Sequence, residues 1–323
     1  MLDEVPLVVE VVLKAAVVLA AFLALPLVVG QTEHKVMAHM QGRLGPMEAG
    51  RFHGWAQLIA DGVKFVQKES VVPAAADPWV YRLAPGVALV PYLVAIAAIP
   101  WSASWIAADL PLGLLFVLAV TAVGVLGTLM AGWGSGNKYS LLGGMRAAAQ
   151  LVGYELPLAL AAVSVALAAG TLSLAGIVEA WQWWWLVWQL PGAVVFLLAA
   201  VAELQRVPFD APLADTEVVM GPFTEYSGLR FAFLLLAEYA GIVVMSLLFT
   251  VLFLGGWTGP WSDTLGPLWT LLKAGLVAVV IIWLRVSWPR VREDQLQRLA
   301  WLVLFPLALG QVALTAVGVV VWG

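Results

Sequence analysis

The chain has 323 residues, of which 63% are hydrophobic and only 11% charged, with a formal net charge of -4. Such an apolar excess excludes an ordinary soluble domain and points to an all-α integral membrane protein. There is no cysteine, which excludes disulfides, thiolate metal sites and iron–sulfur ligands of the chain's own, so any redox centre must sit on a partner protein.

Apolar runs of about 20 residues predict eight membrane spans, at 5–29, 80–101, 111–132, 147–170, 184–203, 231–254, 268–285 and 299–322. The first follows Asp3 and Glu4 rather than a basic segment, and Leu25-Pro26-Leu27 is a poor cleavage signal, so it reads as a retained span. The connections 30–82, 133–146, 204–230 and 285–298 hold 14 of the 16 Lys and Arg, and the alternate connections hold none. Basic connections stay in the cytoplasm, so both termini are expected outside a bacterial plasma membrane. The outer connections carry Trp181, Trp183, Trp184, Trp185, Trp257 and Trp261, which read as interfacial anchors. The whole chain, 1–323, is expected to form one membrane domain.

The cytoplasmic connection 30–79 is too long for a passive linker. It holds all three histidines, His34, His39 and His53, without metal-ligand spacing, and no metal site is expected. Residues 54–69 have helical period: Trp55, Leu58, Ile59, Val63, Phe65 and Val66 share a broad face, and Gln57, Asp61, Lys64 and Lys68 cluster opposite. This predicts an interfacial amphipathic helix. Its interleaved acid, amide and bases suit the lining of a polar chamber or a partner surface better than lipid anchoring alone.

Depth singles out three carboxyls. Glu155 lies eight residues into the fourth span and Glu238 seven into the sixth, about 12 and 10 Å along their helices, and Glu203 closes the fifth on the same side. Neither Glu155 nor Glu238 has a basic residue within a turn in sequence. Beneath them runs the stretch 202–230, with Glu203, Asp210, Asp215, Glu217 and Glu225 against only Arg206 and Arg230. Ionisable groups at such depth line water, bind something or relay protons, and desolvation beside like charges favours proton exchange. Glu10 and Lys14, spaced i, i+4, read as a structural pair, and Lys273 as a cation that snorkels outward. Gly132–Gly136 lacks the strand and the Lys-Ser/Thr of a phosphate cradle, and no nucleophile and base arrangement is present. Neither covalent chemistry by the chain alone nor nucleic-acid binding is expected.

The motifs then carry a resemblance. Glu33, Gln41-Gly-Arg43-Leu-Gly-Pro46, Asp61 with Lys64, Asn137-Lys-Tyr-Ser, Tyr154-Glu155, Glu203, Arg206, Pro208-Phe209-Asp210, Glu217, Thr224-Glu225-Tyr226 and Ala237-Glu238-Tyr239 resemble, in order and along the whole chain, the H subunit of respiratory complex I. The resemblance implies a membrane component of a proton-translocating NADH-quinone oxidoreductase, inactive alone. It implies that Arg43, Gln57, Asp61, Lys64, Arg206 and Phe209 belong to a quinone chamber. Glu155, Glu203, Asp210, Asp215, Glu217, Glu225 and Glu238 then correspond to an acidic path that couples quinone reduction to proton pumping. It further implies quinone, ubiquinone or menaquinone, as substrate, and iron–sulfur clusters and flavin on partner subunits only. The implied partners are small membrane-arm subunits, antiporter-like subunits, cytoplasmic iron–sulfur and quinone-site subunits, and membrane lipid. Met47-Glu48, Leu213, Asp215, Gly153 and His34 depart from the family pattern but leave the acidic ladder intact. The electron donor stays open between NADH, ferredoxin and reduced deazaflavin, and a membrane-bound hydrogenase has a similar component. A freestanding ion transporter is the competing class, but internal repeats and midplane binding groups are not evident. A passive anchor would not need Glu155 or Glu238.

Overall fold

In a computed structural model, residues 7–322 are described, so Asp3, Glu4 and the start of the first expected span lie outside the described residues. The elements are helical throughout: α1 (Leu7–Met40), α2 (Gln57–Gln67), α3 (Pro78–Ala98), α4 (Gly113–Gly134), α5 (Lys138–Ala169), α6 (Leu174–Ala180), α7 (Trp185–Trp188), α8 (Leu190–Glu203), α9 (Asp215–Val218), α10 (Gly228–Phe253), α11 (Ser262–Ser287), α12 (Glu293–Leu299) and α13 (Phe305–Trp322). A π-helical segment, Ala300–Leu304, fuses α12 to α13. Among the described residues seven helices are long and apolar enough to cross a membrane, not eight.

The difference lies at the fifth expected span. Residues 184–203 form the single turn α7 and the 14-residue α8, the latter about 21 Å long against an apolar core of about 30 Å. The break falls at Gln189, just before Leu190-Pro191, because proline has no N–H to continue a helix and is suited to starting one. Gln189 turns inward there. Its amide accepts from Ser164 Oγ at 3.1 Å and from Gln311 Nε2 at 2.9 Å, and donates to Thr315 Oγ1 at 3.2 Å.

Helix boundaries also differ from the apolar runs. α1 continues to Met40, so Glu33, His34 and His39 sit on a helix rather than in a connection. α5 begins at Lys138, capped by Asn137 Oδ1, which accepts from Tyr139 N at 2.8 Å, so it projects nine residues beyond its apolar start. Of the expected aromatic belt, Trp183, Trp184 and Trp261 are exposed, but Trp185 and Trp257 are buried in the packing. Lys273 does not snorkel outward. Its ammonium donates to the carbonyls of Leu254, Gly256 and Thr258 at 2.8, 2.9 and 2.8 Å, which closes the C-terminus of α10.

The core lies around α10, whose most apolar window is 61% buried, against 17% for α1. α3 and α4 meet backbone to backbone, since a Cβ on Gly127 would lie 2.3 Å from Ala88 N. The stretch 204–230 is not a hydrated loop but a packed cap. Gln150 on α5 donates to Ala202 O at 2.5 Å and Phe209 O at 2.8 Å. Phe209, buried, meets the Tyr154 ring at 5.6 Å, and Tyr226 stacks on Tyr81 of α3 at 4.2 Å. A Cβ on Gly143 would clash with Pro222 and Pro212 O, so only glycine lets this cap lie against α5.

Candidate functional site

Three helices and the cap bring a set of buried and half-buried charges together. Glu33, on the last third of α1, is 1% exposed and bridges Arg206 of the cap to Arg285 at the end of α11. Arg206 Nη2 also pairs with Glu238 of α10 at 2.8 Å, though without the alignment of a hydrogen bond, and the guanidinium lies 4.9 Å over the Tyr239 ring. Burial opposes the charge of Arg206, but Glu238 and Glu33 outweigh it and hold its pKa above the ordinary arginine value. A buried charge persists only when paired in this way.

Beside this cluster is a cavity of about 40 Å³. It is lined by both Glu238 and Glu203, with Tyr92, Thr128 and Gln205. The volume admits a water molecule, and the lining offers the polar partners that one needs. Glu203, at the end of α8, is itself buried. Glu155 on α5 is exposed along that helix and does not line the cavity.

Toward the surface the remaining acids of the cap meet arginines from distant segments. Asp210 Oδ1 pairs with Arg290 Nε at 2.9 Å, and Glu217 with Arg146 Nη1 at 2.5 Å and Arg290 Nη2 at 3.1 Å. Arg146 also approaches Glu293 at 3.6 Å. Burial raises the Asp210 pKa against the opposing pull of Arg290. The Arg146 hydrogen bond lowers that of Glu217. Glu225 accepts from Asn137 Nδ2 at 2.6 Å, and Asp215 is exposed in the single-turn α9.

A second, wider cavity of about 460 Å³ opens between α1, the turn after it and the polar face of α2. His34, Met37, Arg43, Pro46, Gln57 and Asp61 line it. Gln57 Nε2 donates to both oxygens of Asp61, at 3.0 and 3.2 Å, and Lys64 lies 3.5 Å from the same carboxylate. Lys35 fastens the turn by reaching Pro46 O and, at 3.2 Å, Met47 Sδ. The buried Nδ1 of His34 has no hydrogen-bond partner. On the other face of α2, Phe65 packs on Phe231 of α10 while Ile59, Val63 and Val66 stay exposed. No group of His, Cys, Asp and Glu among the described residues is arranged to hold a metal ion.

Residues 13–316 match the family described as NADH dehydrogenase. The H subunit of the NADH-quinone oxidoreductase of Bacillus mycoides (strain KBAB4) is 47% identical over 287 residues, 88% of this chain and 86% of its own length. Those of Geobacillus kaustophilus (strain HTA426) and Geobacillus thermodenitrificans (strain NG80-2) are each 47% identical over 290 residues, 88% of this chain and 86% and 87% of theirs. The chain belongs to the family of NADH-quinone oxidoreductase H subunits.

In this member of the NADH-quinone oxidoreductase family, the six residues assigned to a quinone chamber do not share one cavity. Arg43, Gln57 and Asp61 line the wide one and Lys64 joins through Asp61, but Arg206 is in the buried cluster and Phe209, itself in the cap, is packed against Tyr154 of α5. The seven acids fall into three groups: Glu203 and Glu238 at the small cavity with Glu155 nearby, Asp210 and Glu217 in the arginine network, and Asp215 and Glu225 apart from both. Sequence reasoning missed Arg146 and Arg290, which partner two of these acids, and Arg285, which partners Glu33, and it gave Glu33 no role of its own. The only signal for them was position: Arg285 and Arg290 follow a span end on the same side as the acidic stretch.

Proposed function

We propose that this chain forms the membrane-side wall of the quinone chamber and the first carboxyls of the path that links quinone reduction to proton translocation in a complex I type NADH-quinone oxidoreductase. One observation carries this reading. His34 borders the wide cavity while its neighbour Glu33 starts the buried series Glu33, Arg206, Glu238, which ends at the water-sized cavity shared with Glu203. A charge change at the polar face of α2 is then felt through space by the paired charges that begin at Glu33, next to the cavity-lining His34. Reduction of a quinone carbonyl consumes protons and changes the local charge. Arg206, held charged between two carboxylates, passes that change as a shift in its pairing between Glu33 and Glu238. Glu238 and Glu203 then exchange a proton through a water molecule that the cavity between them admits.

On this reading Arg43, Gln57, Asp61 and Lys64 meet the quinone, with Arg206 and Phe209 behind them, and Glu155, Glu203 and Glu238 carry protons. Asp210, Asp215, Glu217 and Glu225 set the field around the path. α7 and α8 together make the fifth of eight crossings, with both termini outside the plasma membrane. Electrons come from an iron–sulfur cluster on a cytoplasmic partner subunit.

Replacing Glu203 or Glu155 with Gln keeps volume and most hydrogen bonding but removes the proton. In vesicles that carry the assembled complex, quinone-linked turnover and proton uptake should fall together, and Asp should restore part of each. Wild-type pumping in both Gln variants would reduce these groups to packing, since a neutral amide is cheaper to bury than a carboxylate.

A further inference from the structure

The least packed span is α1, and its half remote from the acidic cap leaves a cavity of about 490 Å³ against α3. Val11, Ala15, Val18, Leu93 and Ala107 line it, and Lys14 is the charged residue among its walls. Lys14 Nζ lies 2.8 Å from Glu10, and both side chains are about one-third exposed, at 37% and 32%. Lys14 lies two turns into the described part of α1, and its four-carbon stem lets the ammonium reach back toward the outer surface. An ammonium carries three donors, and at the level of the lipid headgroups those that Glu10 leaves are open to an anionic acceptor. Lys273, the other lysine of this half, solves the same problem with three carbonyls, but the groove gives Lys14 no such cage.

We propose that this groove holds one phospholipid with a primary-amine headgroup, its phosphate on Lys14, its ammonium on Glu10 and an acyl chain along the apolar walls. A phosphodiester supplies anionic acceptors for the lysine. The Glu10–Lys14 pair is neutral overall, so it matches a zwitterion, and a primary ammonium can donate to Glu10 where a trimethylated one cannot. The lipid braces α1, whose far end carries Glu33. This goes beyond the proposed function and rests only on α1 and α3 spanning a bilayer.

The test places a photo-crosslinking residue at Val11 in the assembled complex, held in nanodiscs of equal phosphatidylethanolamine, phosphatidylcholine and phosphatidylglycerol. Mass analysis of the crosslinked chain should find a phosphatidylethanolamine adduct above the other two. Lys14→Met should reduce that adduct about tenfold, the scale of one charge-assisted hydrogen bond, and Lys14→Arg should retain it. Glu10→Gln, which leaves a net positive site, should shift the preference to phosphatidylglycerol and keeps the proposal testable if Lys14→Met fails to assemble. Equal adducts from all three lipids, no change in either variant, or a crosslink to a partner protein would overturn it.

Discussion

Arg206→Met tests the buried cluster directly. Methionine keeps the stem of the side chain but removes the charge from a position 3% exposed. Glu33 retains Arg285, whereas Glu238, 17% exposed, loses its ion-pair partner. Removing one member of a buried pair costs about 3–5 kcal/mol, and the surviving Arg285 places the effect near the lower end. Loss of the stacking on Tyr239 adds roughly 0.5–1 kcal/mol. A total of about 3–4 kcal/mol is a large share of the roughly 5–15 kcal/mol that separates folded from unfolded chains. The assay is a double-mutant cycle with Glu238→Gln, read from unfolding of the assembled complex in detergent. Because the second substitution removes the stranded carboxylate, the double variant should be more stable than the sum of the singles by about 1 kcal/mol or more. A single-variant loss below about 0.5 kcal/mol, or strictly additive effects, would refute the reasoning.

Other expectations follow from the same geometry. Asp61→Asn should lower quinone reductase activity about tenfold or more, roughly 1.4 kcal/mol, while assembly on native gels stays normal, because Asp61 lines an open cavity rather than the core. Lost assembly with normal specific activity would make this face a docking surface instead. Lys273→Met strips three carbonyls of a charged donor and should cost about 2–3 kcal/mol of thermal stability, with quinone turnover below the transition unaffected. The lowered pKa of Glu217 means that its stabilising link is fully present above the ordinary carboxylate value and is lost as pH falls through its folded value. Acidification should therefore destabilise the wild type more than Glu217→Gln, and equal acid sensitivity of the two would argue against the Arg146 and Arg290 strap.

The spans were legible because a hydrocarbon solvent demands about 20 apolar residues wherever the chain crosses it. Seven of the expected eight correspond to long apolar helices, and the exception is where an inward-turning Gln189 before Pro191 interrupts an otherwise apolar run. Composition could place Glu203 and Glu238 at similar depth, but not on one cavity, since α8 and α10 are 35 residues apart at these positions. Pairings were the least visible. Glu33 and Arg285 are 252 residues apart, and nothing local in either segment announces the other. Lys273 was misread for the same reason: snorkelling assumes that water is the nearest acceptor, and here the end of α10 is nearer. The membrane helices follow from local hydropathy, whereas the chemistry of the site follows from which helix ends converge, and that is a property of the packing.

The π-helical segment in the last span has a consequence for registry. A π turn inserts one residue into the helical repeat, which turns everything beyond it by about 100°. On one side of Ala300–Leu304, α12 is fastened to α5, where Tyr154 donates to Leu296 O at 2.9 Å and Gln297 donates to Ala149 O at 2.9 Å. On the other side, Gln311 and Thr315 of α13 face Gln189 and Ser164. A uniform α-helix holds one of these two faces against the bundle but not both. The extra residue acts as a gear change within a single rod. Were it deleted, Gln311 and Thr315 would swing toward lipid, and the polar layer that closes α7 to α8 would lose half of its members to hydrocarbon.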